Sequence, residues 1–178
     1  MLKQIKHNRI ILFLLLSAVL YTVWLLVYFL IIKTYTNCDF NLNYNIVYLA
    51  QQFFDLLNFN TDIVIESDHV VLYLDGGSNR GIWVGDECNG FKLFSIFSIF
   101  IVAFPGKVKS KLWYIPLGLI LIHLANVIRI MALVLINNYY PKYLDFNHLY
   151  TFTIFVYSII FLLWYFWAKK QTFYEQKN

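Results

Sequence analysis

The sequence predicts an all-α polytopic membrane protein: a four-helix transmembrane bundle carrying an outer amphipathic helix and a small β-meander. Three observations predict it. The 178 residues are 60% hydrophobic and 13% charged, whereas soluble domains are about half apolar and about a quarter charged. Four apolar runs have lengths near what a ~30 Å hydrocarbon core requires. The segments between them alternate between lysine-rich and acid-rich, the charge pattern that orients membrane proteins. The length suits one domain, residues 1–178. The net charge of +4 carries no implication of nucleic acid, because most Lys and Arg flank apolar runs.

The first run, residues 10–32, follows Lys3, Lys6 and Arg9. A signal peptide is the rival reading. The run is long for one, and no small-x-small cleavage site precedes Lys33. An uncleaved helix with its basic flank inside places residues 33–87 outside as an extracytoplasmic insert. That insert carries most of the chain's acids against Lys33 and Arg80. Within it, residues 44–59 show helical apolar spacing broken by Asn45, Gln51, Gln52 and Asp55. This is an interfacial helix that lies on the leaflet or packs on the bundle. Residues 62–66, 69–74 and 81–84 read as strands, with Ser67-Asp68 and residues 75–79 as turns.

The second span, residues 88–104, ends at Pro105-Gly106 and is at the short end for a crossing. Lys107, Lys109 and Lys111 mark an inner loop. Residues 112–136 return outward, and 137–147 form a short outer loop. Residues 149–168 form the fourth span, which Lys169-Lys170 ends inside. Both termini are then cytoplasmic.

Three reactive side chains share the outer face in this topology. Cys88 starts the second span, Arg129 lies about two turns below the outer end of the third, and His148 starts the fourth. A thiol at a helix N-terminus is favoured as thiolate, while Asp86 and Glu87 oppose it unless they point away or pair with Lys92. The alternative is a bridge from Cys88 to Cys38 on the same side. A charge within an apolar span marks a bundle interior or cavity, with snorkelling to the surface as the alternative. Asn126 lies three residues before Arg129, on the same helix face. His148 is placed to serve as acid and base for cysteine acyl chemistry. The alternative for His148 is an interface residue bonded to water or backbone. His69 is less well placed, and His123 reads as a packing residue bonded to a carbonyl. No close metal-ligand spacing and no phosphate loop is present, so no metal or cofactor is expected.

Cys88-x-Gly90 entering a helix, Asn126-x-x-Arg129 late in the next span and His148 opening the one after resemble the exosortase/archaeosortase family. The short length and Asp86-Glu87-Cys88-Asn89-Gly90 look most like the small exosortase F proteins of Bacteroidetes. The resemblance implies a cysteine transpeptidase or protease of the bacterial inner membrane, acting on membrane-anchored proteins with C-terminal sorting signals. It implies Cys88 as nucleophile, with Arg129 and His148 beside it and Asn126 matching the family's asparagine. Asn89, Gly90 and Lys92 stand where substrate would be bound or oriented. The larger members usually show Glu-Ala-Cys-Ser-Gly-Ile-Arg, whereas this chain has Asp86-Glu87-Cys88-Asn89-Gly90-Phe91-Lys92, and their additional N-terminal spans are missing here. A second membrane component is a further possible partner. A non-enzymatic component of export or surface assembly is the rival function, and a transporter subunit a more distant one.

Overall fold

The computed structural model describes residues 2–66, 69–74 and 81–177, with side chains between residues 10 and 171. Helix α1 (Leu2–Val27) continues through a π-helical turn (Tyr28–Ile32) into Lys33–Tyr35. Helix α2 (Cys38–Leu56) follows, then strands β1 (Thr61–Glu66), β2 (His69–Leu74) and β3 (Ile82–Val84). Helices α3 (Phe91–Ala103), α4 (Val108–Tyr139) and α5 (Phe152–Lys177) complete the chain, a second π-turn (Asn147–Thr151) leading into α5. The expected turns at 67–68 and 75–79 lie outside the described residues.

The strands form an antiparallel meander in the order β1-β2-β3. Thr61 opposes Leu74, and Val70 opposes Val84. β2 buries Val70, Val71 and Leu72. The amphipathic helix begins six residues before the expected position 44 and packs on the bundle instead of lying free. Its Ile46, Val47, Ala50 and Phe54 are completely buried, a stripe at the i, i+4, i+8 spacing of one helix face. They form one core with Val70, Leu72 and Val84 of the sheet and Val127, Ile130, Leu133 and Val134 of α4. A second core joins Phe97 and Ile101 of α3, Ile122 of α4, and Ile160, Leu163 and Trp167 of α5. α3 and α4 approach closely at Gly118, where a Cβ would collide with the Phe97 ring.

Three helical stretches are long and apolar enough to cross a membrane: Ile10–Tyr35, Val108–Tyr139 and Pro141–Gln171. Their outward faces show Leu12, Leu30, Ile154 and Phe161 to the surroundings, as lipid-facing helices do. The protein is therefore a multi-pass membrane protein, mostly helical, with a small open sheet. The expected span 88–104 is shorter than anticipated. α3 has 13 residues, about 20 Å at ~1.5 Å per residue. Its start is fixed by chemistry. Gly90 takes the left-handed conformation (φ 80°), and the Asn89 side-chain oxygen accepts from the Phe91 amide at 2.9 Å. The helix cannot extend back to Cys88 through those two residues. At the other end Phe104 turns extended before Pro105. Lys111 donates to the Val102 carbonyl at 2.7 Å and satisfies part of the open helix end.

Candidate active site

Cys88 occupies a tight turn, not a helix N-terminus. Its amide donates to the Gly85 carbonyl at 2.8 Å, so the helix-end stabilisation expected for its thiolate is absent. The residues named from the sequence nevertheless converge. Cys88 Sγ lies 3.2 Å from His148 Nε2, and Arg129 Nη2 donates to the same sulfur at 3.6 Å. These side chains come from the turn before α3, the middle of α4 and the π-turn before α5. Cys88 and Cys38 are both free thiols, so the bridge between them is not formed.

Each member is held by its element. Arg129 is 8% exposed and lines a cleft between α3 and α5, while its helix neighbours Val127, Ile130 and Leu133 pack under α2 and the sheet. It does not snorkel along a lipid-facing surface. Its Nε and both polar atoms of the fully buried Asn126 have no hydrogen-bond partner among the described residues. Buried polar groups are normally paired, and a group left without a partner calls for an explanation such as a catalytic role or an ordered water. Asn126 Nδ2 packs against Gly90, where a Cβ would collide with it. Glycine is thus required at 90 twice over, by the left-handed backbone and by this close approach. His148 rides in a π-turn whose wide spacing lets Thr153 donate to the His148 carbonyl five residues back, at 3.3 Å. Such turns are frequent at functional sites.

Electrostatics set the resting protonation. Burial pushes the Cys88 thiol up, the Arg129 guanidinium opposes that, and Glu87 adds to it. The resting sulfur is thus a thiol that requires a base, and the imidazole is within reach of its proton. Asp86 is diverted from Cys88: it pairs with Lys33 at 3.6 Å and accepts from Asn43 at 3.5 Å. The pairing with Lys92 considered from the sequence is replaced by this one.

Two cavities meet at the thiol. The larger, about 970 Å³, runs along β3 and is lined by Trp83, Gly85, Asp86, Glu87, Asp145 and His148 as well as Cys88. His69 stacks on Trp83 in its wall, with centroids 4.9 Å apart. The smaller, about 260 Å³, opens between α3 and α5, where Lys92 and Arg129 join Leu93, Leu149 and Tyr157. His123 is engaged elsewhere, 2.8 Å from Asn45 Oδ1 on α2.

Sequence reasoning missed what anchors the nucleophile turn. Asn89, fully buried, donates to Asp39 at 2.7 Å, and Tyr28 donates to the other Asp39 oxygen at 3.0 Å. Phe91 packs on Tyr28 and Trp24 with ring centroids 5.7 and 6.3 Å away.

A thiol, an imidazole and a guanidinium in mutual reach on a multi-pass membrane protein define a class: a membrane enzyme of cysteine-peptidase type, equipped for acyl transfer through a thioester. The chain belongs to the transmembrane exosortase family, whose model (Exosortase_EpsH) matches residues 8–173. No curated protein and no solved structure matches it.

Proposed function

We propose that the chain is a membrane-embedded cysteine transpeptidase or protease that cleaves C-terminal sorting signals of secreted proteins. The carrying observation is the 3.2 Å approach of His148 Nε2 to Cys88 Sγ with Arg129 on the same sulfur. His148 takes the thiol proton as Cys88 attacks the scissile carbonyl. Arg129, a planar donor fork, holds the developing oxyanion. As the tetrahedral adduct collapses, the imidazolium gives its proton to the leaving amine and the acyl group stays on Cys88 as a thioester. Water or an amine then attacks that carbonyl and returns the thiolate. Asn126, with unmet donors and acceptors, orients the substrate backbone. Asn89 and Gly90 shape the turn, and Lys92 faces substrate in the smaller cleft.

The charge alternation supports four spans with α3 as the short second one, both termini in the cytoplasm and the site at the outer face of the cytoplasmic membrane. The chain then acts as one domain, residues 1–178, with an extracytoplasmic insert at 33–87. A nucleophile at that depth suits a membrane-anchored polypeptide cut just outside the bilayer. The Asp86-Glu87-Cys88-Asn89-Gly90 form supports a place beside the small exosortase F proteins of Bacteroidetes, with a second membrane component as a possible partner.

The test is processing of a tagged, membrane-anchored sorting-signal protein encoded beside this gene, with each variant's membrane level measured. Cys88→Ala and Cys88→Ser abolish cleavage while inserting normally, and Arg129→Lys fails because the fork is lost. Near-normal cleavage by Cys88→Ala would leave a non-enzymatic assembly role in its place.

A further inference from the structure

The nucleophile turn is held by more than its own helix. Its Asn89 side chain donates to a carboxylate 50 positions earlier in the chain. Asp39 stands in the first turn of α2. One oxygen accepts from Tyr28 on α1 at 3.0 Å, and the other accepts from Asn89 at 2.7 Å. Asn89 in turn uses its oxygen on the Phe91 amide at 2.9 Å, so its side chain is aligned from both ends. Tyr28 is 2% exposed and Asn89 fully buried. Bonds to a carboxylate that are partly shielded from water are stronger than neutral ones and directional. Cys88 is the residue next to Asn89, and its amide is committed to Gly85.

From this we infer that Asp39 is the positioning residue for the nucleophile: it clasps α1, α2 and the Cys88 turn, and so sets the sulfur between His148 and Arg129. It touches neither the thiol nor its two partners. The tyrosine comes from the π-turn of α1, whose shifted register presents its hydroxyl to the clasp. The inference rests on the reading of Cys88 as nucleophile for its importance, not for its measurement.

The chemistry allows a reciprocal exchange. In the double variant Asp39→Asn, Asn89→Asp, the introduced amide donates to the introduced carboxylate and its oxygen accepts from Tyr28. The second carboxylate oxygen accepts from the Phe91 amide. Every bond of the clasp is rebuilt, and only the one between positions 39 and 89 reverses its polarity. In the Asn89→Asp single variant two carboxylates face each other and the bond between them is lost, whereas Asp39→Asn keeps neutral bonds, its oxygen accepting from Asn89 and its amide donating to the Tyr28 hydroxyl.

The measurement is alkylation of Cys88 by iodoacetamide across pH, in the full-length membrane protein with Cys38→Ser so that one thiol reports. With the clasp intact, Arg129→Met moves the alkylation midpoint upward, because the guanidinium favours the thiolate. In Asp39→Ala the same substitution moves it less than half as far, since the sulfur no longer faces the guanidinium. The reciprocal double variant restores the full Arg129 effect, although its carboxylate beside Cys88 raises the absolute midpoint. Tyr28→Phe removes one bond and gives an intermediate loss. If Asp39→Ala fails to accumulate in membranes, Asn89→Asp and Tyr28→Phe carry the test. An undiminished Arg129 effect in the single variants, or no recovery in a well-inserted double variant, overturns the clasp. Processing is scored in parallel: Asp39→Ala lowers kcat at least tenfold with KM within about twofold. Loss of the coupling in a protein whose unsubstituted form processes nothing would instead overturn the proposed function and leave the clasp standing.

Discussion

The sheet-side core and the helical core share α4 and use the same aliphatic and aromatic residues, yet they bury different polar loads. Of the buried polar residues among those described, Asn43, Thr61, Asn89, Asn126, Arg129 and Asn137 lie on the sheet side, and only Gln171 lies at the opposite end. Lipid can seal a helical core whose outer faces are apolar. A guanidinium and two carboxamides need a protein roof that excludes lipid. α2 and the meander form that roof, which is why Cys88, packed against the sheet-side core, stands at the junction of the two.

Perturbing the junction itself has the largest expected effect. His148→Ala removes the group that moves the proton, and general acid–base assistance is worth ~10²–10⁴-fold. The drop appears in kcat for processing. Arg129→Met costs about 10²–10³-fold if it serves the oxyanion, as a single such donor does.

The cores are separated by two matched truncations. Phe54→Ala and Phe97→Ala each remove a fully buried ring, for ~3–5 kcal/mol. Both lower thermal stability in detergent by comparable amounts. Only Phe54→Ala loosens the roof, so it alone speeds labelling of Cys88 by an impermeant maleimide. Equal acceleration by Phe97→Ala would mean the two cores act as one unit. Gly118→Ala sharpens the same contrast. Its Cβ meets the Phe97 ring, an overpacking of about 1–3 kcal/mol that should leave Cys88 labelling unchanged.

The smallest effect is electrostatic. Burial, then Glu87, hold the Cys88 proton, against Arg129. The folded-state thiol therefore deprotonates above the ordinary thiol range, and alkylation keeps rising with pH past the point where a free thiol levels off. Glu87→Gln moves that midpoint down, because a charge that disfavours the thiolate is gone. A midpoint unmoved by Glu87→Gln would place the carboxylate too far in solvent to matter.

Much of this arrangement was legible from spacing. The change of period after Asn60 and the turn residues between short runs marked all three strands, and the i, i+4 stripe marked α2. Arg129 was conspicuous because a cation in an apolar run demands a reason. His148 was legible only by its rank at the head of a span. Other features leave no periodic trace. A π-turn inserts one residue into a helix without changing its composition, so neither Tyr28–Ile32 nor Asn147–Thr151 could be anticipated. Asp39 looked like one acid among many in an acidic segment, and its partner lies 50 positions away. The start of α3 was misplaced because Asn89 and Gly90 were treated as part of an apolar span. Their chemistry, an acceptor for a helix amide and a left-handed backbone, belongs to the turn before it.

The account rests on acyl transfer through Cys88, and the intermediate can be weighed. Wild-type protein is quenched in acid during processing of the tagged substrate, and the Cys88 peptide is examined by mass spectrometry. The account predicts that this peptide carries the N-terminal product as an adduct cleaved by hydroxylamine, absent in Cys88→Ala and more abundant when no acceptor amine is supplied. Active processing with an unmodified Cys88 at every time point, in a preparation where Cys88→Ala cleaves equally well, would contradict it.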